Sequence, residues 1–313
     1  MARELFIDYE PQAGNARVVE RANEIIAEYA AQGFVLTLRQ LFYQFVARDW
    51  LPNTTLHYKN LGTIIGKARD GGLIDWDAIE DRTREVNTHA AWKDPAERIE
   101  AAARGYREDP WEGQPYRVEV WIEKDALLGV IEGVCGELRV PYFATRGNCS
   151  QTLMYAAGQR FADQIDQGIT PLVLHLADHD PNGIDMTRDL EERLALYTCG
   201  AAAAEFLGQS VEVRRIALTM AQVRRYRPPP NPVKEGDTRT HGYRRQFGTN
   251  QCWELDALNP PVIAGLIRSE VVALIDGKKW EAARRKEKRN RQLIERVAAN
   301  WPTVEQQLKG KRR

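Results

Sequence analysis

The 313-residue sequence is poor in the features that mark several protein classes. Its four cysteines, Cys135, Cys149, Cys199 and Cys252, are widely spaced and form no C-x-x-C pair. That removes a zinc ribbon, a dithiol redox centre and a disulfide scaffold, and leaves them as reduced, mostly buried thiols. The five histidines show no ligand spacing. No apolar run approaches the roughly 18 residues that span a membrane, so no membrane partner is expected. The start, MARELFIDYEPQ, has no apolar stretch of the kind a secretory leader carries, and a cytoplasmic address is expected. A nucleotide loop is also missing: in Gly62-Thr-Ile-Ile-Gly66-Lys67 the spacing is one residue short, and Ala68 stands where Ser or Thr would bind magnesium. Net charge is lacking too, with 44 basic against 44 acidic residues. The average hides segregation, because 278–313 holds thirteen Lys/Arg against four Glu, and 214–250 holds nine Lys/Arg against two acids. Charge in blocks creates a local phosphate-binding surface even in a neutral chain, although a run such as Arg284 to Arg291 is also what a solvated helix face looks like.

The length permits two domains, and the pattern changes once along the chain, which divides it at 1–108 and 109–313. Val18, Val19, Ala22, Ile25, Ile26 and Tyr29 form a helical stripe that stops at Gly33. Thr37 is a suitable N-cap for a second helix with Leu38, Leu41, Phe42, Phe45 and Val46 on one face. A third, from about Thr54 to Arg69, turns Leu61, Ile64, Ile65 and Ala68 inward and Lys59, Asn60, Thr63 and Lys67 outward. LIDWDAI then reads as a short strand or wing, so a winged-helix module is expected here, a unit that often lays one helix on duplex DNA. Lys59 and Lys67 are its candidate phosphate contacts. A helix from about Asp94 to Arg107 and the stretch Asp109 to Pro115 read as a connector. From Tyr116 strands alternate with helices: YRVEVWI, VPYFA, PLVLHLA and VEVRRIAL are strands, and the predicted fold class is α/β with a largely parallel sheet. RPPPNPVKEGD reads as a loop, Trp253 and Glu254 as the start of a helix, and Asp256 to Ile275 and Lys278 to Val297 as two late helices.

In open α/β sheets functional groups gather at the carboxyl ends of strands. Glu123 closes the first strand, and Asp178 and Asp180 close the third. Extended backbone alternates its side chains, so both aspartates face one side, where they share a metal at a solvent-reachable strand end. Oxygen ligands suit Mg²⁺, with Mn²⁺ as a substitute. Asp185 is either an outer ligand or the acid that a helix N-terminus favours.

The runs VEVWIEKDALLGVI, FATRGNCS and LHLADHDPNGIDM resemble the Toprim domain found in the A subunit of topoisomerase VI and in the meiotic double-strand-break transesterase. The resemblance implies metal binding by Glu123, Asp178 and Asp180. It extends upstream, where that family carries a nucleophilic tyrosine in an Arg-x-x-x-Tyr helix and TLRQLFYQF offers Arg39 and Tyr43. Residues four apart do share a helix face. Tyr43 would attack phosphorus with help from Arg39, and Glu123 would bind metal or move the proton. Tyr58 is a rival without an arginine four positions earlier. Arg146 either touches phosphate or shapes the turn at Gly147, and Arg244 and Arg245 either face DNA or are ordinary surface arginines. Only 42 residues precede Tyr43, which makes the chain similar to the stand-alone Mini-A relatives rather than to the members that need an ATPase.

The expectation is a Mg²⁺-dependent enzyme that breaks, and rejoins, double-stranded DNA by tyrosine transesterification. The resemblance implies a homodimer in which each tyrosine works against its partner's metal, and a nucleoid location follows from the substrate. The first alternative keeps the fold and lets water attack, as in the similar Wadjet nuclease subunit. The second is a DNA-binding protein without catalysis.

Overall fold

The computed structural model describes residues 3–79, 91–199, 211–234 and 236–310. The chain groups into two compact units, 1–84 with 118–271, and 85–117 with 272–313.

The larger unit opens with α1 (Ala13–Ala30), α2 (Leu38–Ala47) and α3 (Thr55–Asp70). Threonines begin two of them. The Thr37 side chain accepts the Gln40 amide while Gln40 reaches back to the Thr37 amide, a complete capping box, and Thr54 accepts the His57 amide. The three helices close on a core that includes Ile25, Leu36, Leu41, Phe45, Leu61 and Ile74. The segment expected as a strand or wing is instead a 3-10 turn at Trp76–Ala78, touching strand geometry only through the single bridge of Leu36 with Ile79. Asp75 explains the difference, because its carboxylate caps the turn by accepting the Asp77 amide.

After α4 (Pro95–Gly105), which belongs to the smaller unit, come β1 (Tyr116–Ile122), α5 (Leu128–Leu138), β2 (Tyr142–Ala144), α6 (Gln151–Asp166), β3 (Thr170–Leu176), α7 (Pro181–Cys199) and β4 (Glu212–Ala217). The four strands form one parallel sheet in the order β2-β1-β3-β4. This places the ends of β1 and β3 side by side at its centre, where the Glu123 amide donates to the Leu176 carbonyl at 2.8 Å. Both central strands are buried along most of their length, and β3 reads accordingly as a near-continuous apolar run. Trp121, Met154, Phe161, Val173, Leu190 and Leu194 pack one core between sheet and helices. Glu119 is buried in β1 without an energetic conflict, since it accepts the Trp121 indole N–H at 2.9 Å and two Arg160 bonds at 2.8 and 3.0 Å.

Beyond β4 the chain is more structured than its composition suggests. α8 (Met220–Tyr226), β5 (Asn231–Pro232), α9 (Thr240–Phe247) and β6 (Gln251–Cys252) occupy the stretch that contains the predicted loop. β5 pairs antiparallel with β6. α10 (Pro260–Val272) completes the unit, pinned to α5 by a two-bond Arg268 to Glu137 pair at 2.6 and 2.7 Å.

In the smaller unit α4 packs along α11 (Gly277–Ala299), which is followed by α12 (Trp301–Gly310). Glu287, 5% exposed, accepts the Glu108 amide at 3.0 Å, and Trp111 meets Trp280 edge to face. Arg284, Arg285, Lys288 and Arg289 are exposed on α11. Among the described residues no helix is long and apolar enough to cross a membrane.

Gly158 lets α6 and α7 approach: a Cβ there would stand 2.5 Å from the Tyr197 Cβ and 2.9 Å from its carbonyl carbon. Gly158→Ala should therefore destabilise by about 1–3 kcal/mol through overpacking. Gly133→Ala on α5, where a Cβ meets nothing within 4 Å, should stabilise by roughly 0.5–1 kcal/mol. Urea unfolding of the two variants checks both signs, and equal behaviour would contradict the packing argument.

Candidate functional site

The end of β3 runs directly into α7, and the sequence Asp180-Pro181 explains how. The Asp180 carboxylate accepts the Gly183 amide at 2.6 Å and its carbonyl accepts the Ile184 amide at 3.1 Å, so Asp180 caps α7 with proline in the first helical position. The helix thus starts four residues before Asp185, which lies a turn inside it and pairs with Arg188 at 2.7 Å. Gly183 is obligatory, since a Cβ there would sit 2.1 Å from the Asp178 carbonyl oxygen. Arg215 clasps the same turn, donating to the Ala177 and Gly183 carbonyls at 3.1 and 2.7 Å and to the Thr187 hydroxyl at 2.9 Å. His179 faces away from the two aspartates and lies at 2.7 Å from the Tyr243 hydroxyl.

Asp178 and Asp180 line a cleft of about 930 Å³ together with Glu123, Arg39, Tyr43 and Tyr58. Residues separated by more than 130 positions thereby meet at one opening. Asp178 differs from the expected solvent-reachable carboxylate, being 7% exposed. One of its oxygens accepts the Leu255 amide at 2.8 Å and the other pairs with the Lys124 ammonium at 2.9 Å. Lys124 also meets Glu254 and Asp256, each at 3.0 Å. Arg39 then bonds Glu254, lies 3.0 Å from Asp256 and reaches the Tyr43 hydroxyl at 3.4 Å. Asp256 is 1% exposed, and the oxygen facing Arg39 makes an ion pair without hydrogen-bond alignment. Asn231 of β5 extends the network, donating to Glu254 at 3.2 Å and accepting from Asn53 at 3.0 Å.

Burial and charge compete in this cluster. Burial disfavours the Lys124 ammonium, but Asp256, Asp178 and Glu254 outweigh it and hold the group firmly protonated. Burial drives Asp178 up to about 7 against the pull of Lys124, and raises Asp256 as well. Burial also acts on Glu254, yet Lys124 and Arg39 prevail and hold it down at about 2. The Tyr43 hydroxyl is pushed above its ordinary value, first by burial and then by Asp256 and Glu254, with Arg39 opposing. Burial likewise raises Glu123.

Among the described residues no three His, Cys, Asp or Glu side chains converge as a ready-made metal cage. Both oxygens of Asp178 are engaged within the fold. Glu123 gives one oxygen to the Asp178 amide at 2.9 Å, and Asp180 gives one to Gly183. Each keeps a second oxygen free of hydrogen bonds among the described residues. Two carboxylates with room for water and phosphate are what Mg²⁺ commonly takes, so the donor set fits that ion through Glu123 and Asp180.

Of the remaining predicted residues, Lys59 and Lys67 are exposed on α3, Arg244 and Arg245 lie in the last turn of α9, and Arg146 pairs with Asp125 at 2.7 Å. None of the five lines the cleft. Arg146 and Gly147 both hold positive φ, 55° and 86°, which makes the turn after β2. Tyr58 does line the cleft and packs edge-on against Phe42 at 5.5 Å. Lys124, Glu254 and Asp256 were not singled out from the sequence as site residues. Trp253 and Glu254 do not begin a helix: Trp253 bridges His179 by reciprocal bonds of 2.8 and 3.0 Å, and a 3-10 turn follows at Leu255–Ala257.

Comparisons with protein-family models, with curated proteins and with solved structures return no match.

Removing the cation at the centre tests the network. Lys124→Ala leaves three carboxylates facing one another and should cost about 3–5 kcal/mol. Carboxyls whose folded pKa is raised favour folding at low pH and lose that contribution as pH rises through the folded value, about 7 for Asp178. The deficit of Lys124→Ala should therefore be larger at pH 8 than at pH 5, measured by chemical unfolding in chelator. A deficit independent of pH would show that the three acids do not share one charge balance.

Proposed function

We propose that this chain is a Mg²⁺-dependent enzyme that breaks and rejoins DNA strands by tyrosine transesterification, in the manner of the Toprim and winged-helix enzymes it resembles. The observation that carries the reading is the shared cleft: the Arg39 and Tyr43 pair of α2 opens onto the same space as Glu123 and Asp180. The helices α1 to α3 are then the DNA-binding part, with Lys59 and Lys67 on the outward face of α3. Two chains acting as a homodimer cut both strands of a duplex.

Magnesium bound by Glu123 and Asp180 supplies charge neutralisation at the attacked phosphate. Tyr43 gives up its proton to a cleft carboxylate as its oxygen bonds to phosphorus. The bond from phosphorus to the 3′ oxygen breaks, that oxygen takes up a proton, and the 5′ end stays on the protein. Rejoining is the same path reversed, so no external energy is consumed. Arg39 steadies negative charge on the tyrosine oxygen and the phosphate. Lys124 and Asp178 hold Arg39 and Glu123 in place through Glu254, Asp256 and the Asp178 amide. No nucleotide enters this scheme.

A second reading, hydrolysis by water, has one observation in its favour. Tyr43 is 3% exposed and its hydroxyl is pushed towards the protonated form, which suits a packed phenol better than a nucleophile.

With Mg²⁺ and plasmid, without ATP, the protein should leave DNA ends linked to protein on denaturing gels. Glu123→Gln and Asp180→Asn should each lower cleavage by about a hundredfold or more. Tyr43→Phe should abolish the linked product; free ends at the parental rate from this variant would replace transesterification by hydrolysis. Uncut plasmid with every protein form would remove both readings.

The resemblance implies that each tyrosine serves the partner's metal, whereas the cleft favours a complete site within each chain. Mixing Tyr43→Phe with Glu123→Gln should then restore no nicking. Nicked plasmid from the mixture, absent with either variant alone, would assign the tyrosine to the partner.

A further inference from the structure

The cleft is lined by four cations, and they differ in what remains available to a ligand. Arg39 is committed to Glu254 and Asp256, and Lys124 is surrounded by three carboxylates. The other two, Lys234 and Arg239, follow the proline-rich stretch 228–232. Lys234 is exposed, and its ammonium makes no hydrogen bond or ion pair among the described residues. Its backbone is nonetheless fixed: the neighbouring Val233 amide donates to the Asn250 carbonyl at 3.1 Å, and the Lys234 carbonyl accepts the Thr240 hydroxyl at 3.0 Å. The β5 and β6 pair anchors the segment from the other side. A fixed backbone carrying an exposed ammonium without an ion pair is how a protein presents a point charge to a phosphate.

Arg239 is prepared differently. Asp237 holds its guanidinium by two parallel bonds of 2.9 Å, and the third nitrogen donates to the Asn182 side chain at 2.7 Å, in the first turn of α7. The side chain is still 36% exposed. Its third nitrogen also lies 3.5 Å from the Asp185 carboxylate, so two acids fix the charge and orientation of the guanidinium, whose exposed part faces the cleft. Asn182 also ties it to the turn that carries Asp180.

We propose that Lys234 and Arg239 grip the backbone phosphates of a nucleic-acid strand lying in the cleft, next to the Glu123 and Asp180 carboxylates. The inference rests on the strand-breaking reading and adds the residues that hold the strand. Both contacts are to phosphate, so they give affinity and register without base preference. They also supply phosphate contacts inside the cleft, which the outlying Lys59, Lys67, Arg146, Arg244 and Arg245 do not line.

The test is binding of a short DNA duplex, and of the single strand, by the full chain in chelator over a potassium chloride series, where cleavage plays no part. Each phosphate contact adds about 0.9 to the slope of log affinity against log salt on duplex and about 0.7 on single strands. Lys234→Ala, an exposed side chain whose loss leaves the packing intact, should lower the slope by about one and weaken binding several-fold at low salt. Lys234→Ala with Arg239→Gln should lower it by about two, with no change between duplexes of different sequence. A double variant with the parental affinity and slope would overturn the assignment while leaving the strand-breaking reading in place. A parental protein that binds neither DNA at low salt, in chelator or with Mg²⁺, would overturn that reading and this one together.

Discussion

A single half-buried ammonium holds the candidate site together. Lys124 follows Glu123 at the end of β1, and it meets Asp178 from the end of β3 and Glu254 and Asp256 from the segment before α10. Removing such a charge from water costs several kcal/mol, and only close opposite charges with good geometry offset that cost. The three carboxylates meet this demand collectively, and Arg39 shares two of them. The chain of contacts therefore runs from Glu123 and Asp178 through Lys124 to Arg39 and the hydroxyl of Tyr43. No apolar contact has this specificity, because burying a methyl group is nearly indifferent to direction whereas an unpaired charge is not.

The same arrangement divides labour between carboxylates that look equivalent on paper. Asp178 has both oxygens occupied within the fold, while Glu123 and Asp180 each keep one free of hydrogen bonds among the described residues. Positions two apart on one strand end thus receive different roles from their surroundings. Gly183 and Arg215 make this reliable: the first lets the α7 turn press onto the Asp178 carbonyl, and the second bonds the turn's carbonyl groups. A site resting on strand ends and clasped turns is held more closely than one on a free loop.

Much of this was legible in the residues. Periodicity located the three N-terminal helices, and strand-like runs located the four parallel strands. The i,i+4 rule drew attention to Arg39 and Tyr43, and the period of two to Asp178 and Asp180. The rest failed for physical reasons. LIDWDAI has the composition of a strand, but Asp75 caps a 3-10 turn within it. The Asp180-Pro181 step is a helix start that local pattern does announce, and it places Asp185 a turn inside the helix rather than at its N-terminus. Trp253-Glu254-Leu255-Asp256 carries the same alternation as Asp178-His179-Asp180, and its two acids do converge on Lys124. What no local rule could supply is that they meet a lysine more than 120 positions earlier.

The bookkeeping of charge inside the cleft bears on how it would accept a polyanion. Its lining includes the carboxylates of Glu123, Asp178, Asp180, Asp237 and Glu254 against four cations, three of which, Arg39, Lys124 and Arg239, are in internal pairs. A phosphate entering alone meets acids that repel it, and a divalent cation entering alone meets only two free carboxylate oxygens. Entering together, each would supply what the other lacks, since Glu123 and Asp180 would hold the cation and its charge would offset their repulsion of the phosphate. On the proposed reading, binding of metal and of strand must then strengthen one another by the same factor in either order, as linkage requires. The neutral composition of the chain is no obstacle to this, because affinity depends on which charges are left unpaired at the opening rather than on their sum over the molecule.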